Sequence, residues 1–157
     1  MQDVSLRGLE DADLDTLFEF MRDPESVRMA AFTAEDPDDR AAFDAHMKRI
    51  RANPDTINMV ILGDGRVVGS IASFVMEGDQ EITYWVDRAV WGQGVAGRAL
   101  ALLLEIVAVR PMYARVASDN TGSMRVLTRA GFEKIGTEVA YATARKAEIE
   151  ETILRLS

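Results

Sequence analysis

Three glycines, Gly92, Gly94 and Gly97, sit where the chain changes its period, and this junction constrains the fold more than any other feature. Upstream, apolar and polar residues alternate. Ile57 to Leu62 and Val67 to Met76 read as strands joined by the hairpin signal Gly63-Asp64-Gly65, and Glu81 to Val86 reads as a third strand. Downstream, from about Val95 to Val109, the pattern is that of a long apolar helix. Glycine lets backbone N–H groups converge with no Cβ in the way, here at the positive end of a helix dipole. Such a site suits a pyrophosphate. The same residues also suit a tight turn that binds nothing.

The rest of the chain places this junction in a mixed sheet. Val4 and Leu6 suggest a short first strand, and Asp11 can cap a helix carrying Leu14, Leu17, Phe18 and Met21 on one face. Asp23-Pro24 ends that helix, and the segment to Phe32 has room for a short second one. A further helix is expected from near Asp36-Pro37 to before Asn53-Pro54, with Phe43, Met47 and Ile50 on one side. After the long apolar helix, Pro111 precedes a strand from Tyr113 to Ala117. Asp119-Asn120 starts another helix, which Gly131 stops, and strands follow from Phe132 and from Ile149 to Leu156. An antiparallel meander followed by a βαβ-like unit predicts an α+β (mixed α/β) fold.

That order also sorts the possible uses of the glycine turn. The letters G-x-G-x-x-G match a dinucleotide-binding fingerprint, but that fingerprint opens a βαβ unit and has an acidic residue about 20 positions on. Here the turn follows an antiparallel meander, and positions 112–116 read Met-Tyr-Ala-Arg-Val. The lysine and spacing of a phosphate-binding Walker loop are also missing.

At 157 residues the chain is the size of one domain, read here as a single domain over 1–157. With 26 acidic and 18 basic residues it carries a formal charge of −8, which argues against nucleic acid as a partner. The absence of cysteine excludes disulfides, thiolate metal sites and a cysteine acyl-enzyme, and fits a reducing cytoplasm. The most apolar stretch, Ala99 to Val109, is 11 residues long and contains Glu105, where a membrane span needs about 20. The opening residues carry no apolar signal region, so a cytoplasmic location with no membrane partner is expected.

Four blocks occur in order: Glu81-Ile82-Thr83-Tyr84-Trp85-Val86, Trp91-Gly92-Gln93-Gly94-Val95-Ala96-Gly97, Asn120-Thr121-Gly122-Ser123 and Ala130-Gly131-Phe132. Together they resemble the GNAT N-acetyltransferase superfamily, and within it the ribosomal-protein N-terminal acetyltransferase-like (RimJ/RimL-type) branch. The resemblance covers residues 4–156 in element order and is specific in motif from 81 to 132. It implies a central, mostly antiparallel mixed sheet, flanked by helices and splayed between the strands near 81–86 and 113–117. It implies acetyl-CoA as cosubstrate and no metal. The pyrophosphate would lie on the amides of Gly92, Gln93, Gly94, Val95, Ala96 and Gly97, with Arg98 adding charge. Trp91 stands where the superfamily motif has glutamine or arginine. Backbone groups of Tyr84, Trp85 and Val86 would bond the pantetheine arm, the Val86 amide would polarise the thioester carbonyl, and Asn120 would bond the arm as well.

For the chemistry, the resemblance offers Ser123 as hydrogen-bond donor to the departing thiolate. Leu127 occupies the slot where many relatives carry a tyrosine. Glu81, which begins the strand before the glycine loop at a spacing seen for bases in some relatives, is the first choice of base. Glu138, on the strand after Gly131-Phe132 where some branch members carry a carboxylate, is the second; Arg115 stands where other relatives carry a glutamate. His46, the only histidine, reads as a core or rim residue of its helix. Met29, Phe32 and the acidic run Glu35 to Asp39 fall where the family faces its acceptor. The implied function is transfer of acetyl to a primary amine, a peptide N-terminus or a small-molecule amine, by direct attack in a ternary complex. A non-catalytic acyl-CoA sensor is the alternative, and monomer and homodimer are both open.

Overall fold

Asp64 and Gly65 both take positive φ, 49° and 83°, which is the backbone a two-residue hairpin needs. The computed structural model, which describes residues 1–157, joins at this turn β2 (Ile57–Gly63) to β3 (Arg66–Met76). Ahead of them come β1 (Val4–Gly8), α1 (Leu14–Met21), α2 (Pro24–Ala30) and α3 (Arg40–Ala52). After them come β4 (Asp79–Val86), α4 (Val95–Ile106), β5 (Met112–Ala117), α5 (Thr121–Arg129), β6 (Glu133–Ala142) and β7 (Ala147–Leu156). One seven-stranded sheet runs β1-β2-β3-β4-β5-β7-β6, antiparallel everywhere except between β4 and β5.

That one parallel pairing is short. Gln80 lies opposite Met112 and Glu81 opposite Tyr113, and beyond them the strands part. The expected splay between the 81–86 and 113–117 segments is therefore present, with Glu81 at its fork. The α4 face of the sheet holds the main core: Ile71, Ile82, Leu100, Leu103, Met112, Leu127 and Leu154 are all buried in one cluster. On the other face, Trp85 Nε1 donates to the Phe20 carbonyl of α1 at 3.1 Å, and Ala31, Ala117 and Ala142 form a small second cluster.

Several boundaries differ from expectation for local reasons. Asp11 does not cap α1: residues 11–13 form a tight turn, and Asp13 accepts from the Glu10 amide at 2.8 Å while paired with Arg7. The third helix begins at Arg40 rather than near Pro37, because Asp39 accepts from the Ala42 amide at 3.0 Å. The helix after the glycine turn stops at Ile106, three residues early, where Arg110 donates to the Val107 and Val109 carbonyls. β7 starts at Ala147, two residues before the expected Ile149. No helix is long and apolar enough to cross a membrane.

Candidate active site

The loop between β4 and α4 is held open at both ends. Gly92 (φ 80°) and Gly94 (φ 77°) are left-handed, and a Cβ on Gly92, Gly94 or Gly97 would meet nothing within 4 Å. The amides of Gly92, Gln93, Gly94, Val95, Ala96 and Gly97 donate to no acceptor in the protein, since the first helical bond here is Arg98 to Gly94. They form a run of unpaired donors at a helix start, and this chemistry fits the diphosphate of coenzyme A. Trp91 closes the loop onto β4: its Nε1 donates to the Val86 carbonyl at 2.9 Å.

Alternation along β4 decides which groups enter the fork. Asp87 donates to Val68, so the odd-numbered residues of β4 are the hydrogen-bonded partners of β3. The main chain of Tyr84 and Val86 therefore points the other way, into the gap that β5 has left. Trp91 occupies the Val86 carbonyl, and the Val86 amide remains as a donor in the gap. The main chain of Trp85 is committed to β3, contrary to the expectation for this residue. Trp85 instead contributes its indole, which lines the cleft.

The cleft itself has a volume of about 430 Å³ and passes from one face of the sheet to the other. Met29 of α2 borders it on one side, and Asn120, Gly122 and Ser123 of the α5 start border it on the other. Tyr84, Trp85, Val86, Trp91, Gly92, Gly94, Val95, Ala96 and Gly97 form its floor and rim. Asn120 caps α5, with Oδ1 accepting from the Ser123 amide at 3.2 Å, which leaves its NH₂ group free. Four residues expected in the site do not line it: Glu81, Glu138, Gln93 and Arg98. Gln93 Oε1 accepts from the Met1 amino group, and Arg98 spends its guanidinium on the carbonyls of Met1 and Gln2. Arg98 therefore fastens β1 to α4 and brings no charge to the cradle.

The side chains of Glu81 and Tyr84 leave β4 on opposite faces. Glu81 is 6% exposed and makes no side-chain hydrogen bond; its nearest cation is Arg115 Nε of β5, 3.8 Å from Oε1. Burial raises its pKa above the ordinary carboxylate range, against the pull of Arg115, and nearby Asp79, Glu151 and Glu77 push the same way as burial. Arg115 also binds Glu138 of β6 at 3.0 Å and Glu151 of β7 at 3.4 Å. Glu138 is thus brought into the same network but lies two strands beyond β5, tied to Arg115. Across the sheet, the Tyr84 phenol oxygen lies 2.5 Å from Ser123 Oγ. The sequence offered no sign of that contact, because the two residues are 39 positions apart. Leu127 is buried in the core, so α5 presents no phenol of its own.

The remaining candidates lie elsewhere or have other duties. His46 is exposed on α3, and Met47 is the residue that packs inward. In the acidic run, Asp39 caps α3 and Asp38 pairs with Arg22 at 2.8 Å. No group of three or more histidine, aspartate or glutamate side chains is arranged to hold a metal ion.

A mixed sheet split at its one parallel pairing, with unpaired amides at the mouth of the split, defines an acyl-carrier cleft. Residues 3–133 match the acetyltransferase (GNAT) domain family, and the chain belongs to that family. It is an acetyl-CoA-dependent N-acetyltransferase. An uncharacterized N-acetyltransferase p20 of Bacillus licheniformis is 24% identical over 152 residues, 90% of this chain and 85% of that protein. Mycobacterium smegmatis RimJ, solved in complex with CoA-disulfide, is 25% identical with a TM-score of 0.82, covering 98% of this chain and 81% of that one. A spermidine N-acetyltransferase from Vibrio cholerae, solved with CoA and spermine, shares the fold at 16% identity and a TM-score of 0.79, covering 98% and 94%. Likeness to RimJ places the chain with the RimJ/RimL-like branch, and of the two roles left open by the sequence the family supports the enzyme.

Proposed function

We propose that this enzyme acetylates an amine of low basicity, a peptide N-terminus or a comparable small primary amine, by direct attack across the β4–β5 fork. The observation that carries this reading is the cleft that opens beyond the last β4–β5 pair, with the unpaired amides of Gly92–Gly97 at its mouth, the Val86 amide and Ser123 along it, and buried Glu81 at its closed end on the opposite face.

Each residue then has a task. The amides of Gly92 to Gly97 bind the diphosphate, and the main chain of Tyr84 and Val86, with the Asn120 amide group, aligns the pantetheine arm. Acetyl-CoA supplies an acyl group activated as a thioester. The Val86 amide faces the position where negative charge develops on the carbonyl oxygen, a preorganised donor that needs no rearrangement during reaction. Glu81 takes the amine proton from the α1–α2 face. Ser123 offers its hydroxyl to the sulfur on the α5 face. Glu138 acts at one remove, by holding Arg115 against Glu81.

The choice of acceptor follows from acidity. An α-amine has a pKa of about 7.7–8.0 and a lysine about 10.4, so deprotonation near pH 7 costs ~1 kcal/mol for the first and ~4–5 for the second. A single buried carboxylate with a raised pKa suffices for the former. The acceptor side is also net acidic, with Glu81, Glu138 and Glu151 around one arginine, which suits a cationic amine over nucleic acid. All proposed groups come from one chain read as a single domain over 1–157, so a monomer has a whole site and a homodimer would carry two. The lack of cysteine and of a membrane-crossing helix suits a cytoplasmic enzyme.

The test is product mass spectrometry on panels of peptides and small amines with acetyl-CoA. Acetylation of peptide N-termini or weakly basic amines, with lysine side chains spared, is the expected result. Preferential acetylation of lysine would overturn the assignment.

A further inference from the structure

Tyr84 enters the site described above through its main chain alone, yet its side chain reaches a place that no role so far uses. The ring leaves β4 on the α5 face, packs against the core and lines the cleft. Its phenol oxygen and Ser123 Oγ are 2.5 Å apart, and neither hydroxyl has another side-chain or backbone partner. Two hydroxyls carry two protons, and the contact between them uses one. The other has no acceptor in the protein and is available to whatever occupies the cleft.

We infer that Tyr84 is a positioning residue for the departing thiolate: its phenol donates to Ser123 Oγ and turns the serine proton toward the cleft. The inference rests on the cleft being the acetyl-CoA site. In the transfer, the ammonium first releases one proton to solvent; the neutral amine nitrogen then bonds to the carbonyl carbon, a second N–H proton passes to Glu81, and the carbon–sulfur bond breaks with its electron pair going to sulfur. The sulfur then carries a charge that a correctly aimed hydroxyl stabilises. A lone serine hydroxyl rotates among several directions, whereas one that accepts from a fixed phenol is oriented and polarised by it.

The order of acidities says how far the proton moves. A cysteine thiol titrates near 8.5, an unactivated alkyl thiol somewhat higher and a phenol near 10, and burial raises Tyr84 further. The phenol therefore keeps its proton. The thiolate leaves as a hydrogen-bonded anion and takes up its own proton from solvent afterwards. This arrangement supplies from β4 the phenol that Leu127 does not supply from α5.

Steady-state kinetics, with coenzyme A affinity measured by calorimetry, test this on Tyr84→Phe, Ser123→Ala, Ser123→Thr and the double variant Tyr84→Phe/Ser123→Ala. Tyr84→Phe keeps the ring and its packing, so it should lower kcat about 10- to 100-fold with coenzyme A affinity and KM within about twofold. The double variant should be no slower than Ser123→Ala, because the phenol acts through the serine. Ser123→Thr keeps a hydroxyl and should retain sensitivity to Tyr84→Phe. An unchanged kcat in Tyr84→Phe, with coenzyme A bound at normal affinity, overturns the role of Tyr84 and leaves the cleft assignment standing; additive losses in the double variant do the same. Coenzyme A binding that is indifferent to a Gly94→Glu change overturns the cleft assignment, and the inference with it.

Discussion

The two faces of the sheet at the β4–β5 fork are built from different materials. On the α4–α5 face the polar groups at the fork are main-chain amides, one asparagine amide and two hydroxyls, all uncharged. On the α1–α2 face they are charged side chains, with Arg115 holding Glu81, Glu138 and Glu151 from three other strands. Main-chain donors carry no net charge to desolvate and are aimed by local turn geometry. Buried carboxylates change their proton affinity with every neighbour. The contrast assigns constancy to the donor side and tunability to the acceptor side.

The sharpest way to break the comparison is Gly94→Glu. It forces a side chain into a left-handed position, at a cost of roughly 1–3 kcal/mol, and sets a carboxylate among the amides meant for phosphate. Coenzyme A affinity by calorimetry should fall by about 100-fold or more. If affinity is unchanged, the donor side is not main-chain built.

Glu81→Gln comes next. It should lower kcat by about 100-fold and leave coenzyme A affinity within about twofold, because the two faces act separately. Loss of affinity comparable to the loss of rate would erase the distinction between them.

The pH profile sharpens the acceptor side. In the proposed role Glu81 accepts a proton only when ionised, so the rate should rise with pH through its raised pKa and fall below it. Arg115 pulls that pKa down. Arg115→Met should therefore move the acid limb of kcat to higher pH, and a limb that stays still or moves to lower pH would remove Arg115 from the network. Glu138→Gln should have the smallest effect, less than about threefold in kcat, because its carboxylate is exposed and acts through Arg115. A loss equal to that of Glu81→Gln would exchange the roles of the two glutamates.

What could be read in advance follows the same division. The turn at Asp64-Gly65, the cap at Asn120 and the stop at Gly131 are local: each depends on a few neighbouring residues. Around Gly131, the Phe132 amide reaches Leu127 and the Gly131 amide reaches Thr128, a helix ending that glycine at this position announces. The Gly92–Gly97 cradle was legible for the same reason. The assignments that went astray were those where a residue had a second partner far along the chain. Arg98, beside the cradle in sequence, is taken by Met1 and Gln2. Asp11 does not cap its helix and instead accepts from Arg51, 40 positions along the chain.

The sequence by itself determined the order of elements and the glycine turn with its unpaired amides, because turns, caps and periodicity are short-range matters; Glu81 and Ser123 became candidates through its resemblance to the family. Tertiary structure alone decided that Glu81 would be buried at the point where two strands part, that Arg115 would gather glutamates from β4, β6 and β7, and that the Tyr84 phenol would meet Ser123. Those contacts depend on strand register and on which face each side chain takes, and register is set by the packing of the whole sheet.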